Sequence, residues 1–575
     1  MNKTASSGIS TGLWLLLFLI ACACYLTGLD SLYLPSNGDE MVYSRIARLT
    51  AGSGQWLPLV SDLDHMRNTK PPLLFWQAMV AGDWGAHWDL WRLRLPAALY
   101  SLALAGVLIA ITWRISRLRD VALISACMYL AFFSSFRYGR PYLTSAAETF
   151  WLTLPLWLVI WQRAKGQVPG WLAFAGFGVL WGIGLLYKSF ALVLPTAAGL
   201  WCVLLALHGK GSMRDWAALA LRVTFKITFS AVLAVAVFGL WFALDPDPAA
   251  VWQEFVVGEN GGKLATTALP ISEKLISVTV QALAWLENAG PLAFVMLGLM
   301  VLGIWQLRRG LGELLKGDRV SLALAAWALV WLVVFCLPSQ RSARYVIPAM
   351  PALAVLIALH WQRIPRGWFV ACIVLCLPVM LLLTRIGQAL YTLSVASASE
   401  WIVVAVIATL SAAVALVGFI SARWTRAGAV AVSLGLYALV NAVLAPLSGP
   451  AGHFDLNAEQ LPGKSTVAVP SSFNAQYERY QFLLPDAGHQ HIVPYAASAD
   501  GSILAELLAT HDAVVWQSQD KLDAPACSQT QPASCKLLAQ RLDIKSRHQA
   551  GEIRLDNLFK PEQWLLRREW VLTQN

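Results

Sequence analysis

Charge is what this sequence has least of. Asp, Glu, Lys and Arg together make up 13% of its 575 residues, against about 25% in an average soluble protein, which excludes a disordered chain and a cytosolic enzyme. Cysteine outside apolar surroundings is nearly missing too. Seven of the nine (Cys22, Cys24, Cys127, Cys202, Cys336, Cys372, Cys376) lie in or beside apolar stretches, where a thiol is a small hydrophobe, so a disulfide-rich miniprotein is excluded. Nucleotide-binding fingerprints are lacking as well. Gly463-Lys464-Ser465-Thr466 resembles the end of a phosphate-binding loop, but Ala458 stands where its first glycine belongs, and a strand-like run follows instead of a helix. The formal charge is +10, yet no basic run with interleaved aromatics stands apart from the apolar segments, which argues against a nucleic-acid partner.

What is present is apolar. Hydrophobic residues are 57% of the chain and mean hydropathy is +0.57, the composition of an integral membrane protein. Runs of about twenty apolar residues fall near 11–29, 94–113, 121–137, 147–162, 171–187, 190–207, 221–244, 281–306, 320–337, 345–361, 367–384, 400–421 and 427–447. The pattern predicts a mainly α, polytopic protein with about thirteen transmembrane helices. With the N-terminus in the cytosol, every inner loop is basic: Lys3; Arg114, Arg117 and Arg119; Arg163 and Lys165; Lys210 and Arg214; Arg308, Arg309, Lys316 and Arg319; Arg363 and Arg366; Arg423 and Arg426. Leu19-Ile20-Ala21-Cys22 has lipobox residue types, but the chain stays apolar to Leu29, which suits an uncleaved span better.

Two domains follow, a membrane domain over 1–447 and a tail over 448–575 that an odd number of spans carries outside. Within the first, the outer loop 30–92 carries amphipathic helices, and a second outer loop covers about 245–280. The tail reads as a small α/β domain, with strand-like Thr466–Val469, His491–Pro494 and Ala513–Trp516 and helix-like Ser502–Thr510 and Leu537–Leu542. Cys527 and Cys535 lie close together there and read as a disulfide, which places the tail in an oxidising compartment. His489 and His491 lack a third ligand nearby and read as surface residues.

Candidate chemistry gathers on the outer face, where the positive-inside bias cannot explain cations. Asp39 and Glu40 open the amphipathic stretch that continues through Tyr43; a helix cap is the plain alternative. Lys70 precedes Pro71-Pro72, which stiffen the approach to an apolar helix, and a solvated interfacial lysine is its alternative. Arg137, Arg140 and Glu148 mark one further outer end, Tyr187 and Lys188 another, and Arg341, Arg344 and Tyr345 a third. Carboxylates beside several cations are what displacement of a lipid phosphate requires, a base or orienting group for the acceptor and positive charge for the leaving group.

These residues resemble a family: the bacterial aminoarabinose (4-amino-4-deoxy-L-arabinose) transferases and their protein O-mannosyltransferase relatives, with the C-type glycosyltransferase fold. The resemblance rests on Asp39-Glu40 with Tyr43, on Lys70-Pro71-Pro72-Leu73 with Trp76, on Gly184-Leu185-Leu186-Tyr187-Lys188, and on Arg344-Tyr345-Val346-Ile347-Pro348-Ala349-Met350-Pro351-Ala352. It implies thirteen spans, a periplasmic α/β tail, a bacterial inner-membrane location, a polyprenyl-phosphate-linked sugar donor, a lipid or glycan acceptor, and inverting transfer without a metal or other cofactor. By position, Asp39 is then the principal catalytic carboxylate, and Lys70, Lys188 and Arg344 or Tyr345 meet the donor phosphate. Departures are visible. Thr69 stands where the family has an acid, Ser145 stands near its second acid with Glu148 one turn later as a substitute, and Glu259-Asn260 replaces a Glu-His, with Lys263 for an arginine. They imply a different sugar or acceptor.

A flippase for polyprenyl lipids is the reading from another class. It would need charge through the membrane depth and related halves, whereas here few charges are mid-span, and Arg222 and Lys226 are near enough to the inner end to snorkel.

Overall fold

The computed structural model describes residues 8–34, 38–64, 66–163, 168–261, 271–308, 318–337, 341–457, 459–462, 464–484, 491–497, 503–517, 535–545, 548 and 551–574. Each of the thirteen apolar runs lies on helix. The first ten helices are α1 Thr11–Leu26, α2 Asp39–Gly52, α3 Leu73–Ala81, α4 Leu90–Ser116, α5 Arg119–Ala131, α6 Phe133–Tyr138, α7 Ser145–Gln162, α8 Trp171–Leu185, α9 Val193–His208 and α10 Met213–Leu244. Among the described residues eight helices are long and apolar enough to cross a membrane, and Thr11–Leu26, Trp171–Leu185 and Ala343–Leu359 are shorter apolar helices. The chain is a multi-pass membrane protein.

Small residues set the closest packing. On α8 a Cβ at Gly178 would lie 2.8 Å from the Ser230 carbonyl oxygen of α10, and one at Gly182 would lie 2.5 Å from Val237. This small-xxx-small spacing lets the two backbones touch, and the Ser230 hydroxyl donates across the seam to the Phe174 carbonyl at 2.6 Å.

Beyond one end of the bundle lies a five-stranded sheet of β1 Thr466–Ser471, β2 His491–Ala496, β3 Ala513–Gln517, β4 Cys535–Ile544 and β5 Leu566–Gln574, in the order β2-β1-β3-β5-β4. β1 runs parallel to β2 and β3, while β5 is antiparallel to β3 and β4. The helix expected over Leu537–Leu542 is strand. Two of the four buried positions of β4 are charged: Arg541 and Asp543 are buried with Glu569 of β5, so the apolar pattern there did not mark the inner face. Arg541 donates to Glu569 at 2.7 Å and to the Tyr33 hydroxyl at 2.8 Å, and Tyr33 donates on to Asp543 at 2.7 Å. The first outer loop and the tail therefore share one buried polar network. Cys535 is disulfide-bonded; its expected partner Cys527 lies outside the described residues, as do Lys263 and His489.

Burial alone would raise the Asp543 carboxyl, but Arg479, Arg567 and Arg541 outweigh it and hold that group well below the ordinary carboxylate range. A carboxyl lowered on folding contributes stability that is fully present above its unfolded value, declines as pH falls below that value, and is gone once pH has fallen through its folded value. The sheet should thus begin to lose this contribution below pH ~3.9, the ordinary aspartate value. An Asp543→Asn variant should be less stable at neutral pH and should show a shallower fall of stability with acid, as read by tryptophan fluorescence during acid titration.

Candidate active site

Seven segments meet at the sheet-facing end of the bundle, one of them the helix Trp252–Gly261 that carries Glu259. Asp39 stands in the first turn of α2, where an acid suits the helix N-terminus. It accepts from Arg344 at 3.0 Å, and Arg344 comes from the 3-10 turn Ala343–Ala349. The Arg344 guanidinium also sits 5.0 Å from the Tyr138 ring centre at the end of α6. Lys70, ahead of α3, donates to Glu259 at 2.7 Å and to the Thr69 carbonyl at 2.7 Å, and its ammonium is 5.7 Å from the Tyr43 ring. Lys188, just past α8, donates to Glu148 at 2.7 Å and lies 5.5 Å from the Tyr345 ring. Glu148, in the first turn of α7, also accepts from Thr144 at 3.0 Å.

Tyr43 is the hub. Burial first, then the nearby Asp39 carboxylate, with smaller contributions from Glu259 and Glu148, holds its phenol well above the ordinary range in spite of Arg344. It remains a neutral hydroxyl at any physiological pH. Around it stand three cations, each paired with a carboxylate: Lys70–Glu259, Lys188–Glu148 and Arg344–Asp39. Exposure ranks the acids. The Glu148 side chain is 1% exposed, that of Glu259 26% and that of Asp39 36%, so Asp39 is the most open of the three to an incoming acceptor.

No family model matches the chain. The undecaprenyl phosphate-alpha-4-amino-4-deoxy-L-arabinose arabinosyl transferase 1 of Sodalis glossinidius is 25% identical over 360 residues, 61% of this chain and 59% of the relative. The corresponding transferase of Erwinia tasmaniensis is 25% identical over 337 residues, 57% of this chain and 55% of the relative. The chain thus spans less than two thirds of the length of these curated relatives. Among solved structures, ArnT from Cupriavidus metallidurans bound to undecaprenyl phosphate superposes with a TM-score of 0.60 at 16% identity, over 97% of this chain and 98% of that one. Its apo form gives 0.57 at 15% identity, with the same coverage. The chain carries the C-type glycosyltransferase fold and is a sequence relative of the aminoarabinose transferases.

Not every charged residue expected on this face joins the cluster. Glu40 faces away from Asp39. It is fully buried, bound by Arg94 of α4 at 2.6 and 2.9 Å, and it accepts from the Tyr142 amide at 2.8 Å, so its carboxylate is committed to the framework. Arg140 is likewise a structural cation. It is buried, donates to the Thr27 carbonyl and the Asn441 side chain, and lies 4.3 Å from the Phe136 ring, tying α1 to the helix Thr425–Leu444. Arg341 donates to the Cys336 carbonyl at 3.0 Å. Arg137 lies over the Phe133 and Tyr138 rings, which places it beside Arg344 through the shared Tyr138.

The cluster is also braced by two residues, Glu254 and Ser189, that carried almost no signal in the sequence. Glu254 accepts from both the amide and the side chain of Asn68 at 3.0 Å, and Ser189 donates to Asn260 at 2.7 Å. These bonds fasten the Lys70 loop and the end of α8 to the second outer loop. An acid five residues before Glu259 was the only available signal. Two cavities lie elsewhere: one of about 630 Å³ around Tyr391 and Glu400, and an apolar one of about 540 Å³ between α1 and the helices 398–420 and 425–444.

Proposed function

We propose that this protein is an inverting glycosyltransferase of the bacterial inner membrane that moves a sugar from a polyprenyl-phosphate donor to an acceptor on the periplasmic face. The acceptor is lipid A, another lipid-linked glycan or a surface polysaccharide. In this orientation the N-terminus is cytosolic and the sheet domain periplasmic. The observation that carries the reading is the convergence of three cation–carboxylate pairs around Tyr43, with Asp39 the most exposed of the three acids. The named activity of the curated relatives, transfer from undecaprenyl phosphate-linked aminoarabinose, supports the donor class.

The chemistry follows from the charges. An acceptor oxygen forms a bond to the anomeric carbon from the face opposite the leaving group, and the carbon–oxygen bond to phosphate breaks with its electron pair. A phosphodiester with one negative charge thereby becomes a phosphate monoester with nearly two. Lys70, Lys188 and Arg344 stand where that added charge develops, and fixed cations in a water-poor site stabilise it more than water would. Asp39 takes the proton of a hydroxyl acceptor, or orients an acceptor that is already ionised. The Tyr43 phenol, kept protonated, can donate to a sugar or phosphate oxygen.

Since these side chains supply the electrostatic stabilisation, no metal is required. Transfer should be unchanged by EDTA at millimolar concentration, and a loss of activity restored by Mg²⁺ or Mn²⁺ would contradict the assignment. Lys70→Met should lower transfer about 10²–10³-fold, the usual loss for one charge-stabilising donor. The deciding experiment is mass spectrometry of lipids and envelope glycans from cells with and without the gene. One missing sugar mass identifies the sugar and its acceptor, and formation of the new glycosidic bond by purified protein in detergent, where there are no leaflets to cross, separates a transferase from a flippase.

A further inference from the structure

The sheet domain packs against α2, the helix that carries Asp39, and grips it with one buried carboxylate. We propose that Glu478 is a positioning residue through which the C-terminal domain holds α2 and so aims Asp39; this rests on the transferase reading above. The Glu478 side chain is 0% exposed and accepts from Arg48 at 2.6 and 3.0 Å and from Arg45 at 2.9 Å. Both arginines belong to α2. At 100° per residue they lie about 180–240° around the helix from Asp39, while Tyr43 lies within about 40° of it. One face of α2 therefore carries the chemistry and the opposite face is clamped by the tail.

Glu478 is itself fixed. It sits on the 3-10 turn Gln476–Phe482, whose next two residues are fastened to the sheet: Arg479 to Asp543 at 2.5 Å and Tyr480 to Glu569 at 2.8 Å. Tyr477 on the same turn lies 5.0 Å from the Arg45 guanidinium. Ahead of the turn, the Phe473 ring is 3.0 Å from where a Cβ would stand on Gly38, the residue directly before Asp39. The domain thus presses on the start of α2 and grips its far face. Arg45 is shared with Asp62 of the first outer loop, but Arg48 has only Glu478 among its ion pairs at the described residues. α2 has a second anchor in Glu40–Arg94, so loss of the clamp should tilt the helix without releasing it.

Donor phosphate is held by Lys70 and Lys188 from other elements, so a tilt of α2 should reach the rate and largely spare donor binding. The test uses the full chain in nanodiscs. The donor is total lipid from gene-deleted cells, in which unused donor accumulates, and the product is free undecaprenyl phosphate. In Glu478→Gln, kcat should fall about 10–100-fold, the scale of an ångström-sized misplacement, with donor KM within about threefold of the wild type. Amide exchange over residues 39–52 should be at least tenfold faster. Arg48→Gln, which leaves Glu478 its Arg45 partner, should show the same split at smaller size.

An unchanged kcat in folded Glu478→Gln overturns the proposal. So does unchanged exchange over α2, or a rate that falls only in step with the folded fraction in both variants. If the wild-type chain releases no undecaprenyl phosphate, the transferase reading fails instead, and the exchange measurement alone still decides whether Glu478 holds α2.

Discussion

Asp39→Asn, purified in lipid nanodiscs, should lose sugar transfer by about 10²–10⁴-fold, the range for removal of a general base, while its thermal unfolding stays close to wild type. The side chain is more than a third exposed and pairs with Arg344, so an amide of the same shape disturbs little packing. Its charge is what matters. Without the carboxylate, a hydroxyl acceptor has no base within the cluster except Glu148 and Glu259, and both of those are engaged with lysines. Binding of undecaprenyl phosphate should persist or tighten in the variant, because Arg344 is released from its partner. Full turnover by Asp39→Asn would remove this residue from the mechanism.

The sequence made the membrane architecture legible because a bilayer demands about twenty apolar residues per helix, and that demand is local. The site cations Lys70, Lys188 and Arg344 were legible for a related reason: they lie at helix ends where no topological rule asks for positive charge. Partners were not legible. Arg140 looked like an anion-binding cation, yet its acceptors, Thr27 and Asn441, lie 113 and 301 residues away. Glu40 looked catalytic by adjacency to Asp39, but successive helical residues point about 100° apart. On β4 the difficulty was different. Arg541 and Asp543 are buried against Glu569, so a strand whose inner face is charged carries no alternating apolar signature.

The same reassignment makes the buried pair Glu40–Arg94 the most costly to break near the site. Both side chains are at most 1% exposed, and Arg94 also donates to the carbonyls of Leu29 and Ser31 at 2.9 and 2.6 Å. Arg94→Met should lower stability by about 3–5 kcal/mol, because it strands a buried carboxylate rather than because the pair itself is strongly favourable. That is a large share of the total stability of about 5–15 kcal/mol typical of a folded protein. Adding Glu40→Gln to Arg94→Met should recover much of the loss, since the amide still accepts from the Tyr142 amide without carrying charge. Thermal unfolding of the four proteins in one detergent forms the cycle. A catalytic Glu40 would behave in the opposite way: Glu40→Gln alone would leave stability nearly intact and stop transfer as completely as Asp39→Asn.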